Sequence, residues 1–147
     1  MTTGASERVW RDRTTTGVIL VNDDGHALLQ LRDDIPTIAD PNCWAIPGGE
    51  IGPDEDPAVG ACREFFEETG YRIDPTTLTF ILERNLPRPG GTNEHRHCFA
   101  GRYDGVQVIE CHEGQAMQFI NPADLPDLKT SPGIAEIVVV AVKRLGF

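Results

Sequence analysis

The sequence predicts an α/β (α+β) domain in which one mixed β-sheet is packed between helices. Three observations lead there. The apolar segments change in kind along the chain: strands, then a helix, then strands, then a helix. The length of 147 residues suits a single domain, which at that size buries roughly two-thirds of its unfolded surface. One segment, residues 57–69, carries the signals of both helix ends. The expected organisation is a flexible N-terminal segment over residues 1–13 and one domain over residues 14–147.

Residues 14–21 (TTTGVILV) and 27–31 (ALLQL) read as strands. Asn22, Asp23, Asp24 and Gly25 between them are turn formers, so the two strands form a hairpin. Residues 32–42 are polar and broken by Pro36 and Pro41, as expected of a loop. The short apolar run at 43–46 stops at Pro47, Gly48 and Gly49. In the helix that follows, Asp56 suits the N-cap, Pro57 the first position and Gly70 the residue past the end. Ala58, Ala61, Cys62, Phe65 and Phe66 recur there at near-helical spacing. Residues 78–85 and 94–103 read as strands around a proline- and glycine-rich loop at 86–92. Asp104 and Gly105 predict a hairpin turn into a strand at 106–110. A short strand at 117–120 and a helical turn from Asn121 follow. A last helix opens at Ser131 and Pro132 and runs through 140–145, its many β-branched residues weakening the signal.

Composition narrows the function. Thirteen basic against 23 acidic residues give a net charge of −10. That argues against nucleic-acid or anionic-membrane partners, which need a basic surface. A phosphate-bearing small molecule stays open, provided metal ions, arginines or backbone N–H groups help locally. Cys43, Cys62, Cys98 and Cys111 form no C-x-x-C pair and no zinc-ligand spacing. Residues 1–13 lack the apolar core of a signal peptide, and no apolar run nears the ~20 residues that span a membrane. These features point to a cytoplasmic protein with free, mostly buried thiols.

The chemistry is concentrated between Gly48 and Tyr71. Glu64, Glu67 and Glu68 stand at i, i+3 and i+4, so a helix places all three carboxylates on one face. Glu55 lies just upstream. Like charges at that spacing repel, and a chain already this acidic gains nothing from them; divalent cations reverse the sign. Clustered hard oxygen ligands suit Mg²⁺ or Mn²⁺ rather than zinc. Such ions neutralise a leaving phosphate and acidify an attacking water.

Gly49, five residues, Glu55, seven residues, then Arg63, Glu64, Phe65, Phe66, Glu67, Glu68, Thr69, Gly70 and Tyr71 resembles the Nudix box, G-x5-E-x7-R-E-U-x-E-E-x-G-U, where U is bulky and apolar. All seven fixed letters match. At about 7% usage per residue type, the chance of that is on the order of 10⁻⁸ per start position. Phe65 and Tyr71 are aromatic where aliphatics are usual. The run WAIPGG at 44–49 is also similar to what precedes the box in this family. The resemblance implies a Nudix-type α/β/α sandwich and cleavage of the diphosphate linkage of a nucleoside diphosphate joined to another moiety, with Mg²⁺ or Mn²⁺ as cofactor. It implies Glu64, Glu67 and Glu68 as metal ligands, with Glu68 central. The Gly48 carbonyl is the counterpart of a backbone ligand. Glu55, Gly49 and Gly70 take supporting positions, and Arg63 orients a helix glutamate, with Glu67 in reach at i+4. Family members often add a glutamate from a later loop as a further ligand or general base. Glu113 resembles it, with Glu110 as rival, and Glu67 or Glu68 are alternative bases. Family habit also admits a homodimer.

Outside the box the residues say less. Arg32, Arg84, Arg88, Arg96 and Arg102 are capable of phosphate contacts; Arg32 and Arg84 are the favoured two. Trp44 is a packing residue first and a base-stacking platform second. Alternation places His95 and His97 on one strand face and Cys98 on the other, so these three do not share a metal. Residues 32–42 and 86–92 are the expected specificity loops. Pro87 is a weak pointer to ADP-ribose; nucleoside triphosphates, nucleotide sugars and dinucleoside polyphosphates are equally open. The alternative to an enzyme is a Nudix-fold sensor that binds a nucleotide without cleaving it, but such modules generally lose box residues, and this sequence keeps them all.

Overall fold

The computed structural model describes residues 8–147, so part of the expected N-terminal segment, residues 1–7, lies outside the described residues. The strands are β1 (Arg13–Val21), β2 (Ala27–Leu31), β3 (Trp44–Ala45), β4 (Gly48–Glu50), β5 (Thr79–Arg88), β6 (Thr92–Arg102) and β7 (Ala116–Ile120); the helices are α1 (Pro57–Thr69) and α2 (Ile134–Arg144). One sheet runs β3-β2-β1-β6-β5, with β4 added to β1 and β7 to β2. Among these strands β1 and β6 pair in parallel and the other strand pairings are antiparallel.

Strand alternation builds the three layers. Ile19 and Val21 of β1, with Ala27 and Leu29 of β2, pack with Ile134, Ile137, Val138 and Ala141 of α2. Val18, Leu20 and Leu28, on the opposite face, pack with Ala61 and Phe65 of α1. The sheet is therefore buried on both sides, which explains why residues 18–21 read as a continuous apolar run. Helix α1 has the expected bounds: Asp56 accepts from the Ala58 and Val59 N–H groups, and Gly70 closes the helix at φ 75° with its N–H donating to Phe66 O.

Two expectations are corrected. Residues 86–92 are not an irregular loop. β5 continues to Arg88, Pro89–Gly91 form one 3₁₀ turn, and β6 begins at Thr92. β5 is the sheet edge, where Pro87 loses no ladder bond. Residues 106–110 form no strand. The Asp104 carboxylate accepts from the Val106 and Gln107 N–H groups, and the Gln107 amide donates to Arg72 O and accepts from Arg72 N–H. The chain is thereby turned back over the end of α1 instead of along β6.

Candidate active site

Arg63 holds the glutamates of α1 in place. Its Nε and Nη2 donate to Glu55 (2.8 and 3.1 Å), and its Nη1 donates to Glu67 (2.8 and 3.2 Å) and Glu64 (3.2 Å). These hydrogen bonds, led by those of Glu55, raise Arg63 above its ordinary value and lower Glu55 below its own. The guanidinium fork fits several carboxylate oxygens at once, which an ammonium does not. Arg63→Lys is expected to lower catalytic efficiency by roughly 10- to 100-fold, the range of lost outer-shell contacts; steady-state kinetics in Mg²⁺ will show it.

Glu68 is buried, 3% exposed, and its carboxylate accepts from the Gly48 N–H at 3.2 and 3.3 Å. Burial pushes its carboxyl up to about 9, and the nearby charges of Glu113 and Glu64 add to that. Glu64 is also raised, first by burial, against the pull of Arg63. The helix face thus gathers carboxylates that resist ionising together, the arrangement a divalent cation stabilises. Gly49 completes it: a Cβ there would lie 2.6 Å from the Glu64 carboxylate. Gly49→Ala is expected to displace Glu64 and cost on the order of 10²-fold in kcat with little loss of melting temperature; kinetics beside a thermal melt will separate the two.

The segment 110–114 crosses the C-terminal end of α1. Glu110 N–H donates to Thr69 O and His112 N–H to Glu68 O, satisfying carbonyls that the helix end leaves free. His112 Nδ1 adds a bond to Glu67 O at 3.0 Å. Gln30, buried in β2, donates from Nε2 to Glu113 O, and Gln115 N–H donates to Leu31 O. So anchored, Glu113 stands near enough to Glu68 to help raise its carboxyl. Glu110 turns instead to His112 Nε2 at 3.0 Å.

The cleft beside Gly48 and Gly49 is lined by Arg13, Arg32, Arg88 and Arg96, against the carboxylates Asp40 and Glu94. Glu94 is buried and takes bonds from Arg13 (2.9 Å), Arg88 (2.9 and 3.1 Å), Arg96 (3.1 Å) and the Thr15 hydroxyl (2.8 Å). Burial alone would raise Glu94; Arg96, Arg13, Thr15 and Arg88 override it and bring its carboxyl down to about 2. Arg88 also grips Asp40 through two bonds of 2.8 Å. Four arginines against two carboxylates make the cleft locally positive in an acidic chain. The Ser131 hydroxyl, buried on the same wall, has no partner among the described residues.

Of the two arginines favoured from sequence, Arg32 lines this cleft, with its Nε donating to Ala39 O. Arg84 does not; it turns to Glu136 of α2 at 3.5 Å. Trp44 packs against the α2-side core and bridges Thr130 through its backbone, outside the cleft lining. The sequence reading missed Arg13 and Glu94 and did not favour Arg88 or Arg96. Arg88 and Arg96 stand 6 and 2 residues from Glu94, but Arg13 lies 81 residues from it and Asp40 lies 48 from Arg88, so no local pattern marks the full network. All four cysteines are free, three of them buried. Among the described residues no helix is long and apolar enough to cross a membrane.

The three-layer sandwich thus sets a carboxylate-studded helix beside an arginine-lined cleft. The family model of the NUDIX domain matches residues 11–139, and the chain belongs to that family. An RNA pyrophosphohydrolase of Nitrobacter winogradskyi is 35% identical over 123 residues, covering 76% of this chain and 68% of that protein. A CMP-5'-(N-acetyl-N-hydroxy-3-aminopropyl)phosphonate hydrolase of Streptomyces rubellomurinus is 32% identical over 137 residues, covering 88% of this chain but 64% of that protein, so the match spans less than two-thirds of its length. In fold, the MutT protein of Methanosarcina mazei Go1 superposes with a TM-score of 0.74 over 95% of this chain and 99% of its own, at 18% identity.

Proposed function

We propose that this protein is a metal-dependent pyrophosphohydrolase that cleaves the diphosphate linkage of a small nucleotide derivative, a nucleoside diphosphate joined to another group. The observation that carries this reading is the buried Glu68 facing Glu113 and Glu64 beside a cleft of arginines. Glu64, Glu67, Glu68 and Glu113, with the Gly48 carbonyl, are the groups that would hold Mg²⁺ or Mn²⁺, and such an ion supplies charge neutralisation and a more acidic water. Arg63 aligns Glu67, and the Gly48 N–H aligns Glu68. Glu113, held from its own backbone by Gln30, accepts the proton of the attacking water. Arg32, Arg88 and Arg96 take the anionic part of the substrate, and Ser131 offers an unpaired hydroxyl to the rest.

The net charge favours a small nucleotide over a polyanion as substrate. Residues 14–147 are read as one catalytic domain of a cytoplasmic protein able to form a homodimer. Arg13 already belongs to β1, and Arg11 and Asp12 are tied to Glu50 and the Asn93 N–H, so the described end of the expected N-terminal segment is held to the sheet. The test is phosphate release from nucleoside triphosphates, nucleotide sugars, ADP-ribose, dinucleoside polyphosphates and 5'-triphosphorylated RNA, with Mg²⁺ or Mn²⁺ and coupling enzymes. Metal-dependent turnover of one small-molecule class is the expected result. Preference for the RNA overturns the substrate size, and tight binding without turnover identifies a sensor instead.

A further inference from the structure

A second cluster of ligand atoms stands outside the box. Glu83 on β5 lies opposite His97 on β6, and Asn85 opposite His95. The Glu83 Oε2 lies 2.9 Å from His95 Nε2 and 3.0 Å from His97 Nε2, and one ligand atom from each of the three lies within 4.8 Å of the others. The opposite nitrogens are already engaged. His95 Nδ1 donates to Asn85 Oδ1 at 2.8 Å, and His97 Nδ1 to the Thr15 carbonyl at 3.3 Å. A carbonyl only accepts, so His97 carries its proton on Nδ1, which leaves Nε2 as a lone pair in the neutral ring. The Asn85 oxygen imposes the same tautomer on His95. In the neutral rings two lone pairs converge on an anionic oxygen, and either a proton on Nε2 or a cation held between the three groups satisfies them.

We propose that Glu83, His95 and His97 form a binding site for a borderline divalent cation such as Zn²⁺, separate from the box carboxylates. Two imidazoles and one carboxylate are a donor set for zinc, cobalt or nickel rather than magnesium. The hydrogen bonds that hold both Nδ1 atoms are the outer contacts such ligands need. Ligand atoms around a tetrahedral zinc stand about 3.3 Å apart, so the two contacts of Glu83 need lengthen by only a few tenths of an ångström, while the two imidazole nitrogens, within 4.8 Å of each other, adjust to the same spacing. Glu83 is half exposed, which leaves the remaining coordination positions to water or a ligand oxygen. Thr16 of β1 pairs with Gly49, which abuts Glu64, on one side and with His97 on the other. Two strand spacings, roughly 10 Å, therefore separate this site from the box.

The test is a Zn²⁺ titration of the full chain in millimolar Mg²⁺, followed by the imidazole nitrogen resonances. The first equivalent is expected to move the Nε2 signals of His95 and His97 together while both Nδ1–H signals persist. His95→Ala, His97→Ala and Glu83→Gln should each weaken zinc binding tenfold or more, with the metal-free melting temperature confirming the fold. Zinc taken up with both rings unperturbed, unchanged affinity in folded His95→Ala, or no uptake in excess of Mg²⁺ would each overturn the site.

Discussion

Replacing Glu68 with Gln is expected to lower metal-dependent turnover by roughly 10³-fold, beyond the 10- to 100-fold typical of an outer-shell partner. The amide keeps the size of the carboxyl and still accepts from the Gly48 N–H, so geometry is preserved and only charge is lost. A stability measurement separates this from damage. The folded Glu68 carboxyl, near 9, stands above its unfolded value of 4.5. Without a cation, folding therefore takes up a proton, and stability is lost as pH rises from about 4.5 toward 9. Glutamine removes that loss. In chelator at pH 8 the variant should melt higher than the parent, and in Mg²⁺ this advantage should shrink or reverse. Turnover within tenfold of the parent would sink Glu68 as a central ligand.

The largest stability effect is expected at Glu94. Glu94→Gln leaves Arg13, Arg88 and Arg96 packed around a neutral group, and breaking a buried ion pair from one side costs about 4 kcal/mol. For a domain of this length that is a fall of ~15 °C in melting temperature. The same carboxylate sets an acid limit. Its folded value, about 2, lies below the unfolded 4.5, so its contribution is present above about pH 4.5 and disappears as pH falls toward 2. Thermal melts from pH 7 to 2 in chelator should show the parent losing its advantage over Glu94→Gln across that window. A constant difference between the two down to pH 2 would mean that Glu94 is not the group responsible.

Local features of the sequence located the glutamate-bearing helix α1; the cleft depended largely on distant ones. Asp56, Pro57 and Gly70 act within a turn of themselves, so the bounds of α1 could be read directly. The box glutamates share a face because helical geometry alone puts them there. The hairpin expected after Asp104 failed because that aspartate folds its carboxylate onto the next two N–H groups, a competing use of the same turn chemistry. Pro87 looked like a loop residue because nothing local reveals that β5 is an edge. The arginine network needed β1, the end of β5 and β6 to be neighbours, a fact of topology rather than of pattern. The histidine pair was visible on one face of its strand, but the third ligand, Glu83, comes from the strand beside it.

The parallel pairing of β1 with β6 also sets an order of events for the newborn chain. Arg13 meets Glu94, and every later pair in that ladder is as far apart, 81 residues along the sequence. At ribosomal speeds of about 5–20 residues per second, the apolar β1 segment waits ~4–16 s for its central partner to be made. Helix α1 carries its own caps and can form within that interval, but the strand surface it must cover is still incomplete. Closing so distant a contact is slow compared with winding a helix. The step that assembles the sheet centre is therefore the bottleneck of folding, and residues 14–21 are the segment most exposed to aggregation before it is passed.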